Sequence, residues 1–313
     1  MSVAFVFPGQ GSQYIGMGRE FYENCPEARD VFNKADETLG FNISEMCFSG
    51  PEEELNKTIN TQPAVLTASV ACLEVLRQAG LMLPFAMAGH SLGEYTALVA
   101  AGSISLEDAV RLVRQRGQYM QEAVPLGAGG MAAVMGLSSE RVQDLCGKAS
   151  ETGIIEAVNL NCPGQVVVAG DNAGLEAARR FAKEYGAKRF VTIPVSAPFH
   201  SSMMKPAGDR LSIDLDKVSI TDPSIPIVSN VTAEFARTGL EIKRLLIRQV
   251  YSPVRWEESI RLLIKSGVTT FIEVGPGKVL CGLIKKISRE IRTGNIEDKV
   301  SLEKVLALVR EVS

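Results

Sequence analysis

The chain has 313 residues, of which 46% are hydrophobic and 22% are charged, and its net charge is −3. This composition is typical of a globular protein with a large core, arranged as one large domain or two unequal ones. The small net charge and the absence of any long block of like charge argue against nucleic acid as a partner.

The start of the sequence, MSVAFVFPGQGSQ, has no basic leader and turns glycine-rich after a few apolar residues, which argues against a signal peptide. No apolar run reaches the roughly 18 residues of a membrane helix. The six cysteines are scattered without the paired spacing of a metal site, as is typical of reduced thiols in the cytoplasm. We therefore expect a cytoplasmic protein that contains no metal and does not bind a membrane. The cysteines are Cys25, Cys47, Cys72, Cys146, Cys162 and Cys281.

The first predicted element is a short apolar strand over 3–7, followed by the glycine loop PGQGSQ at 8–13 and helical stretches to about Gly50. Residues 61–80 repeat apolar side chains at helical spacing and end on a glycine, where helices often stop. PFAMAG then predicts a buried strand that leads into a turn at Ser91, and LGEYTALVAAG predicts the helix that leaves this turn.

A smaller unit is predicted next, because its elements follow the order βαββαβ of a ferredoxin-like fold. Its strands are 130–136, 154–160, 165–169 and 188–195, and its helices are 138–149 and 172–185. We expect residues 126–196 to form a small domain inserted into a large domain of residues 1–125 and 197–313, which the chain re-enters near Ser196.

Two more buried strands are predicted at 225–230 and 269–275, separated by a helical stretch over 239–265. The expected fold class is therefore α/β. A large α/β-hydrolase-like domain with a parallel sheet would carry an inserted ferredoxin-like small domain.

The segment GHSLGEYTA, residues 89–97, contains the pattern Gly-x-Ser-x-Gly, which places a serine on a sharp strand-to-helix turn. A serine hydroxyl needs a base to become nucleophilic, and histidine is the usual one. The chain has two histidines. His90 is adjacent to Ser91 and would be directed away from the hydroxyl in a tight turn, so we expect it to be structural. A lone histidine such as His200 is more often a core residue, but the need for a base favours it as the catalytic one.

The third member of a catalytic triad is not evident in the sequence. The acids between Ser91 and His200 fall on predicted helices or on turns of the small unit, as Asp171 does. An amide or a backbone carbonyl is the alternative partner for the imidazole. This weakens the interpretation as a simple esterase.

Arg116 is in phase with the apolar stripe of the predicted helix over 105–123, together with Val113 and Met120. A guanidinium directed toward a core needs an anionic partner or several acceptors. One interpretation is an internal salt bridge to an Asp or Glu. The other is that the anion arrives with the substrate, because the planar arginine fork matches a carboxylate.

Seven segments together resemble the malonyl-CoA:acyl carrier protein transacylases, a family that includes the acyltransferase domains of fatty-acid and polyketide synthases. The resemblance covers nearly the whole chain. The segments are FVFPGQGSQYIGMG, TQPAVLT, AGHSLGEYTALVAAGSISLEDAVRLVRQRGQYM, VNLNCPGQVVVAG, PVSAPFHSSMM, QVYSPVRW and FIEVGPGKVLCGLIKK.

The resemblance implies a two-step acyl transfer without a cofactor. Ser91 would be the acylated nucleophile, His200 its base and Arg116 the ligand of the malonyl carboxylate. The backbone N–H groups of Gln10 and Leu92 would form the oxyanion hole.

Three more roles follow from the resemblance. A carbonyl at Gln249 would orient the histidine, although from the sequence alone this residue is an ordinary helix-surface glutamine. A branched residue at Leu92 and a phenylalanine at Phe199 match the malonyl-selecting members of the family. Candidates to line the acyl pocket are Asn159, Asn161, Phe199 and Met120.

The implied partners are malonyl-CoA and an acidic acyl carrier protein, bound transiently through a basic rim. A serine esterase or thioesterase remains an alternative, as does a non-catalytic carrier-binding module. A polyketide pathway also remains an alternative to fatty-acid synthesis. Candidates for the rim, each equally explained as ordinary surface charge, are Lys188, Arg189, Lys278, Lys285, Lys286 and Arg289.

Overall fold

The structure is a computed structural model that describes residues 2–80, 83–195 and 197–310. Two sheets organise these residues. The larger sheet contains, in spatial order, β10 (Arg292–Ile296), β9 (Val268–Val274), β1 (Ser2–Phe7), β2 (Ala86–Gly89), β7 (Ile227–Val228) and β8 (Phe235–Ala236). The smaller sheet contains β4 (Ile155–Cys162), β5 (Gln165–Asp171), β3 (Gly129–Met135) and β6 (Arg189–Ile193).

The larger sheet is parallel throughout its described strands, except that β7 and β8 are antiparallel. Strand β1 lies beside β2, with Phe7 opposite Gly89. The loops that follow these two strands therefore leave the same edge of the sheet. In open parallel sheets, ligands bind outside the carboxyl ends of the strands, so this register places PGQGSQ and the turn at Ser91 together at such an edge.

Helices cover both faces of the larger sheet, which explains why β1 is apolar on both sides. Phe5 and Phe7 contribute to the larger core, whereas Ala4 and Val6 contribute to a second core with the helices at 256–265 and 279–287. The helices of this part of the chain are α1 (Arg19–Asn24), α2 (Pro26–Leu39), α3 (Ile43–Ser49), α4 (Glu52–Leu55), α5 (Thr58–Gln78), α6 (Gly93–Ala100), α7 (Leu106–Glu122), α10 (Lys205–Leu215), α11 (Gly239–Gln249), α12 (Trp256–Lys265), α13 (Val279–Ile287) and α14 (Lys299–Arg310).

Helix α5 is the one described helix that is long and apolar enough to cross a membrane. However, 89% of its apolar window is buried inside the protein. It packs most closely against α7 and α2. Helix α5 is therefore buried as a core helix of the protein.

The smaller sheet has antiparallel neighbours throughout, and α8 (Ser139–Ala149) and α9 (Asn172–Glu184) pack on it around a separate core. Its chain order is βαββαβ, as expected. The predicted α/β class, with a mainly parallel sheet and a separate antiparallel sheet, is confirmed. The domain division at residues 126 and 196 stays a prediction; Ser196 and residues 311–313 lie outside the described residues.

The predicted helical stretch over 239–265 is wrong in its middle, because α11 ends at Gln249 and α12 begins at Trp256. Pro253 lies in this break and has no N–H to continue a helix. Val254 instead pairs with the small sheet: it accepts from Leu160 N at 2.9 Å and donates to Val158 O at 2.8 Å. The break therefore joins β4 to the rest of the protein.

Candidate active site

Ser91 lies on a tight turn between β2 and α6, which is the strand–turn–helix context that the Gly-x-Ser-x-Gly pattern predicts. Its φ is 52°, in the left-handed region that non-glycine residues seldom adopt. A Cβ on Gly89 would lie 1.9 Å from the carbonyl carbon of Gly93, and one on Gly93 would lie 2.1 Å from Phe7 O. Both positions of the motif thus need glycine because the backbone segments cross there.

The side chain of Asn230 holds this turn from behind. Its Oδ1 accepts from the backbone N–H of Ser91 at 2.7 Å, and its Nδ2 donates to Gly89 O at 2.7 Å. Asn230 is fully buried. These two bonds fix the backbone on both sides of the turn.

His200 faces Ser91 directly. Its Nε2 lies 2.7 Å from Ser91 Oγ, and its Nδ1 lies 2.8 Å from the backbone carbonyl oxygen of Gln249. A carbonyl oxygen can only accept, so the ring proton belongs on Nδ1 and Nε2 is left to accept from the serine hydroxyl. Burial and the nearby positive charge of Arg116 lower the pKa of His200 to about 3. The imidazole is therefore neutral near pH 7, which is the protonation state in which Nε2 can accept a proton.

Arg116 is 1% exposed and reaches the same hydroxyl. Its guanidinium donates to Ser91 Oγ at 3.0 Å, to Gln62 Oε1 at 2.7 Å and to Gln249 Oε1 at 3.0 Å. The predicted alternative, a salt bridge within the protein, is not found for Arg116 in the described part of the chain. Among the residues that the structure describes, its buried Nε has no hydrogen-bond partner. This cation has only neutral partners, so an anionic ligand would be its first direct counter-charge.

Gln249 is fully buried and is not a helix-surface residue. Its backbone carbonyl contacts His200, as described above. Its side-chain Nε2 donates to Ser91 O at 3.0 Å and to Glu94 Oε2 at 2.7 Å. Gln249 therefore contacts the serine, the histidine and the arginine at once.

A cavity of about 130 Å³ opens onto these groups. It brings together most of the predicted site, and four further residues that sequence analysis did not assign, Gln62, Met131, Ile193 and Val195. The predicted residues that line it are Gln10, Ser91, Leu92, Arg116, Met120, Asn159, Phe199 and His200.

Asn161 does not line this cavity, contrary to expectation. Its Oδ1 lies 2.9 Å from His90 Nε2, so the asparagine satisfies a buried ring instead of facing the pocket. The His90 ring also packs against Trp256 at a centroid distance of 5.5 Å. These contacts support a structural role for His90, although its residue also lines the cavity beside Ser91.

Three buried polar residues of the site were missed by sequence analysis: Gln62, Glu94 and Asn230. Glu94 carried a signal, because it is an acidic side chain within a mostly apolar helical segment. Gln62 follows other polar residues at the start of α5 and carried none. Asn230 lies two residues after the end of β7 and carried no such signal.

The arrangement combines a serine hydroxyl, a neutral imidazole and a guanidinium around one small cavity. These groups suit nucleophilic transfer of an acyl group that carries a negative charge. Among the described residues, no three His, Cys, Asp or Glu side chains are grouped as a metal would require.

Comparison with known proteins gives a consistent result. The family described as acyl transferase domain matches residues 4–310. The chain is 51% identical over 310 residues to a malonyl CoA-acyl carrier protein transacylase of Bacillus subtilis, covering 99% of this chain and 98% of the relative. It is 46% identical over 305 residues to the protein of the same name from Escherichia coli K12, covering 97% and 99%.

Solved structures with the same fold include an acyl-carrier-protein S-malonyltransferase from Burkholderia pseudomallei. The TM-score is 0.96 at 49% identity, and 98% of this chain and 100% of the other are covered. Another is a malonyl-transacylase in complex with its type II PKS acyl-carrier protein, with a TM-score of 0.96 at 43% identity, covering 98% and 99%.

Proposed function

This chain belongs to the acyl transferase domain family, and from that premise we propose how its residues carry out the reaction. It is an acyl carrier protein S-malonyltransferase of fatty-acid synthesis, which moves a malonyl group from malonyl-CoA to acyl carrier protein. The assignment of steps to residues rests on one observation: Ser91 Oγ lies 2.7 Å from His200 Nε2 and 3.0 Å from the Arg116 guanidinium.

In the first half-reaction, His200 Nε2 takes the hydroxyl proton as Ser91 Oγ attacks the thioester carbonyl of malonyl-CoA. The tetrahedral intermediate collapses, its carbon–sulfur bond breaks, and the coenzyme A sulfur takes the proton from His200. A malonyl ester on Ser91 remains. The Gln249 carbonyl keeps the proton on Nδ1, so that Nε2 can exchange the other one.

In the second half-reaction, the phosphopantetheine thiol of acyl carrier protein enters the site that coenzyme A has left. His200 takes the thiol proton as the sulfur attacks the ester, and returns it to Ser91 Oγ when the ester bond breaks. The products are malonyl-acyl carrier protein and free enzyme. Since the two thiols are chemically alike, the same groups serve both directions.

Arg116 would bind the malonyl carboxylate in both steps. Its guanidinium is buried next to the nucleophile and has neutral hydrogen-bond partners. An acetyl group would leave the cation without a counter-charge in direct contact, which is costly in a buried site. Arg116 is thereby the residue that favours malonyl over acetyl.

The oxyanion would be held by the backbone N–H groups of Gln10 and Leu92. Both residues line the cavity with Ser91. Leu92 precedes the first turn of α6, where unpaired N–H groups favour negative charge. The Gln10 side chain is anchored away on Thr58 at 3.1 Å, which fixes the loop that carries its N–H.

The reaction proposed here needs no cofactor. Its macromolecular partner is an acidic acyl carrier protein, and malonyl-CoA and coenzyme A are its small-molecule ligands. We also propose a cytoplasmic location, which the six free cysteines support. The division into residues 1–125 with 197–313, and 126–196, would place the cavity between two domains, because β6 of the small unit contributes Ile193.

The experiment that tests this function mixes the protein with malonyl-CoA and either holo or apo acyl carrier protein, and measures the mass of the carrier. A malonyl increment on the holo form alone is the expected result. Release of coenzyme A and malonate with no increment on the holo carrier would indicate a thioesterase. An unchanged carrier and intact malonyl-CoA would indicate a non-catalytic binding module.

A further inference from the structure

Glu94 is a buried carboxylate directly behind the nucleophile. It lies on α6, three residues after Ser91, and is 4% exposed. Within the described residues it has no ion-pair partner. Its Oε2 accepts from Gln249 Nε2 at 2.7 Å and from the backbone N–H of Asn230 at 3.1 Å. The proposed reaction assigns no step to this residue.

The amide of Gln249 links Glu94 to Arg116. Its Oε1 accepts from the Arg116 guanidinium at 3.0 Å, while its Nε2 donates to Glu94 Oε2. If the amide were turned over, its NH₂ would face the N–H donors of Arg116 and its oxygen would face the acceptor on Glu94. Both contacts would then be lost, and buried groups without partners are costly. An acceptor at Glu94 therefore selects the amide orientation that Arg116 requires.

We propose that Glu94 is a positioning residue for acyl selectivity: its carboxyl oxygen fixes the Gln249 amide, and the amide in turn keeps the Arg116 guanidinium at the acyl cavity. The inference rests on the proposed role of Arg116. Glu94 itself contacts neither the substrate nor the reacting atoms. Its influence on the preference for malonyl over acetyl comes from the position of one carboxyl oxygen.

The position of this oxygen matters more than its charge. Burial raises the pKa of Glu94 to about 7, so near neutral pH the carboxyl group exists in both protonation states. A protonated carboxyl still offers a carbonyl oxygen as acceptor. A glutamine, which has the same length, offers the same oxygen. An aspartate keeps the acid but withdraws it by one methylene, which opens the 2.7 Å contact to Gln249.

Two conservative variants separate position from charge. We expect Glu94→Gln to keep the ratio of kcat/KM for malonyl-CoA to that for acetyl-CoA within about threefold of wild type. We expect Glu94→Asp to lower this ratio by about tenfold, which corresponds to the loss of one buried hydrogen bond. Thr96→Val is the control, because Thr96 lies buried on the same helix and its hydroxyl has no hydrogen-bond partner in the described part of the chain. Its ratio should not change.

A ratio that falls in Glu94→Gln, or stays unchanged in Glu94→Asp, overturns the proposal, as does an equal fall in Thr96→Val. Glu94→Gln is nearly isosteric and provides a test even where Glu94→Asp does not fold. Arg116→Ala is measured alongside. If Arg116→Ala keeps the wild-type ratio, the proposed carboxylate site itself is wrong. If the ratio falls in Arg116→Ala but not in Glu94→Asp, only the role of Glu94 is wrong.

Discussion

His200 Nε2 lies 2.7 Å from Ser91 Oγ, and both residues have φ in the left-handed region, 52° for Ser91 and 65° for His200. Among the described residues, Ala233 is the one other non-glycine residue with positive φ. Such backbone conformations persist where the surrounding structure over-determines them, and they cluster at active sites. The proposed nucleophile and its proposed base are thus held in place by the surrounding structure before substrate arrives.

Replacing Arg116 by Ala should remove the preference for malonyl-CoA. We expect the ratio of kcat/KM for malonyl-CoA to that for acetyl-CoA to fall by about 100-fold or more, since a buried charge pair is lost. Steady-state transfer to holo acyl carrier protein measures both constants.

The matched control is Arg114→Ala. Arg114 lies on the same helix, but it donates to Asn60 at 3.2 Å and stacks over Phe41 at 4.5 Å. In this variant, the ratio of kcat/KM for malonyl-CoA to that for acetyl-CoA should stay within about twofold of wild type, because Arg114 lies outside the reacting centre. Equal ratios in the two variants would contradict the assignment of the carboxylate site.

The acid limb of the pH profile should report the environment of His200. Burial first, and then the charge of Arg116, lower its pKa below 6.5 to about 3. The base therefore stays neutral, and kcat/KM should show no loss from histidine protonation between pH 7.5 and pH 5.5. Arg116→Ala removes one cause of the shift and should move the acid limb to higher pH. An acid limb centred near 6.5 in the wild type would contradict this account.

Glu94 should make folding stability depend on pH. Its folded-state pKa is raised from 4.5 to about 7, so its contribution is complete below pH 4.5 and is lost as the pH rises through 7. Glu94→Gln is neutral at every pH and escapes this loss. The difference in Tm between Glu94→Gln and wild type should therefore increase from pH 5 to pH 8, as measured by thermal unfolding. A constant difference would show that Glu94 does not titrate in this range.

Gly93→Ala should destabilise the protein by roughly 3 kcal/mol or more, because the added Cβ meets backbone that has no room to move. That Cβ would lie 2.1 Å from Phe7 O. Gly147→Ala is the contrasting variant: Gly147 lies within α8, and apart from its chain neighbours and the backbone of that helix, no atom of the described residues lies within 4 Å of the added Cβ. It should stabilise by about 0.5–1 kcal/mol, the usual gain for alanine over glycine in a helix. Denaturant unfolding compares the two, and similar values would contradict the close-packing argument.

Local pattern predicted most of the fold. The helix over 106–122 and the elements of the small unit lie within a few residues of their predicted positions, because their apolar periodicity is strong. The strands β8 and β10 and the helices α10, α13 and α14 were not predicted. Both strands are short and lie at the edges of the sheet, where the apolar pattern is weak.

In the site, too, some features follow from local sequence pattern and others do not. The position of Ser91 on a strand-to-helix turn could be predicted from its motif, and the burial of Arg116 from its place in the apolar phase of a helix. The roles of Asn230 and Gln249 depend on contacts with residues 139 and 133 positions away in the chain, respectively. Such contacts arise from the packing of α11 and the loop after β7 behind the turn, and no local spacing encodes them.

The most direct test of the central claim is the mass of the intact protein after brief mixing with malonyl-CoA, for the wild type and for Ser91→Ala. The account predicts one malonyl increment on the wild type and none on Ser91→Ala. It also predicts that holo acyl carrier protein discharges this adduct faster than buffer does. An increment that persists in Ser91→Ala, or an adduct that buffer alone discharges as fast as the carrier does, would contradict it.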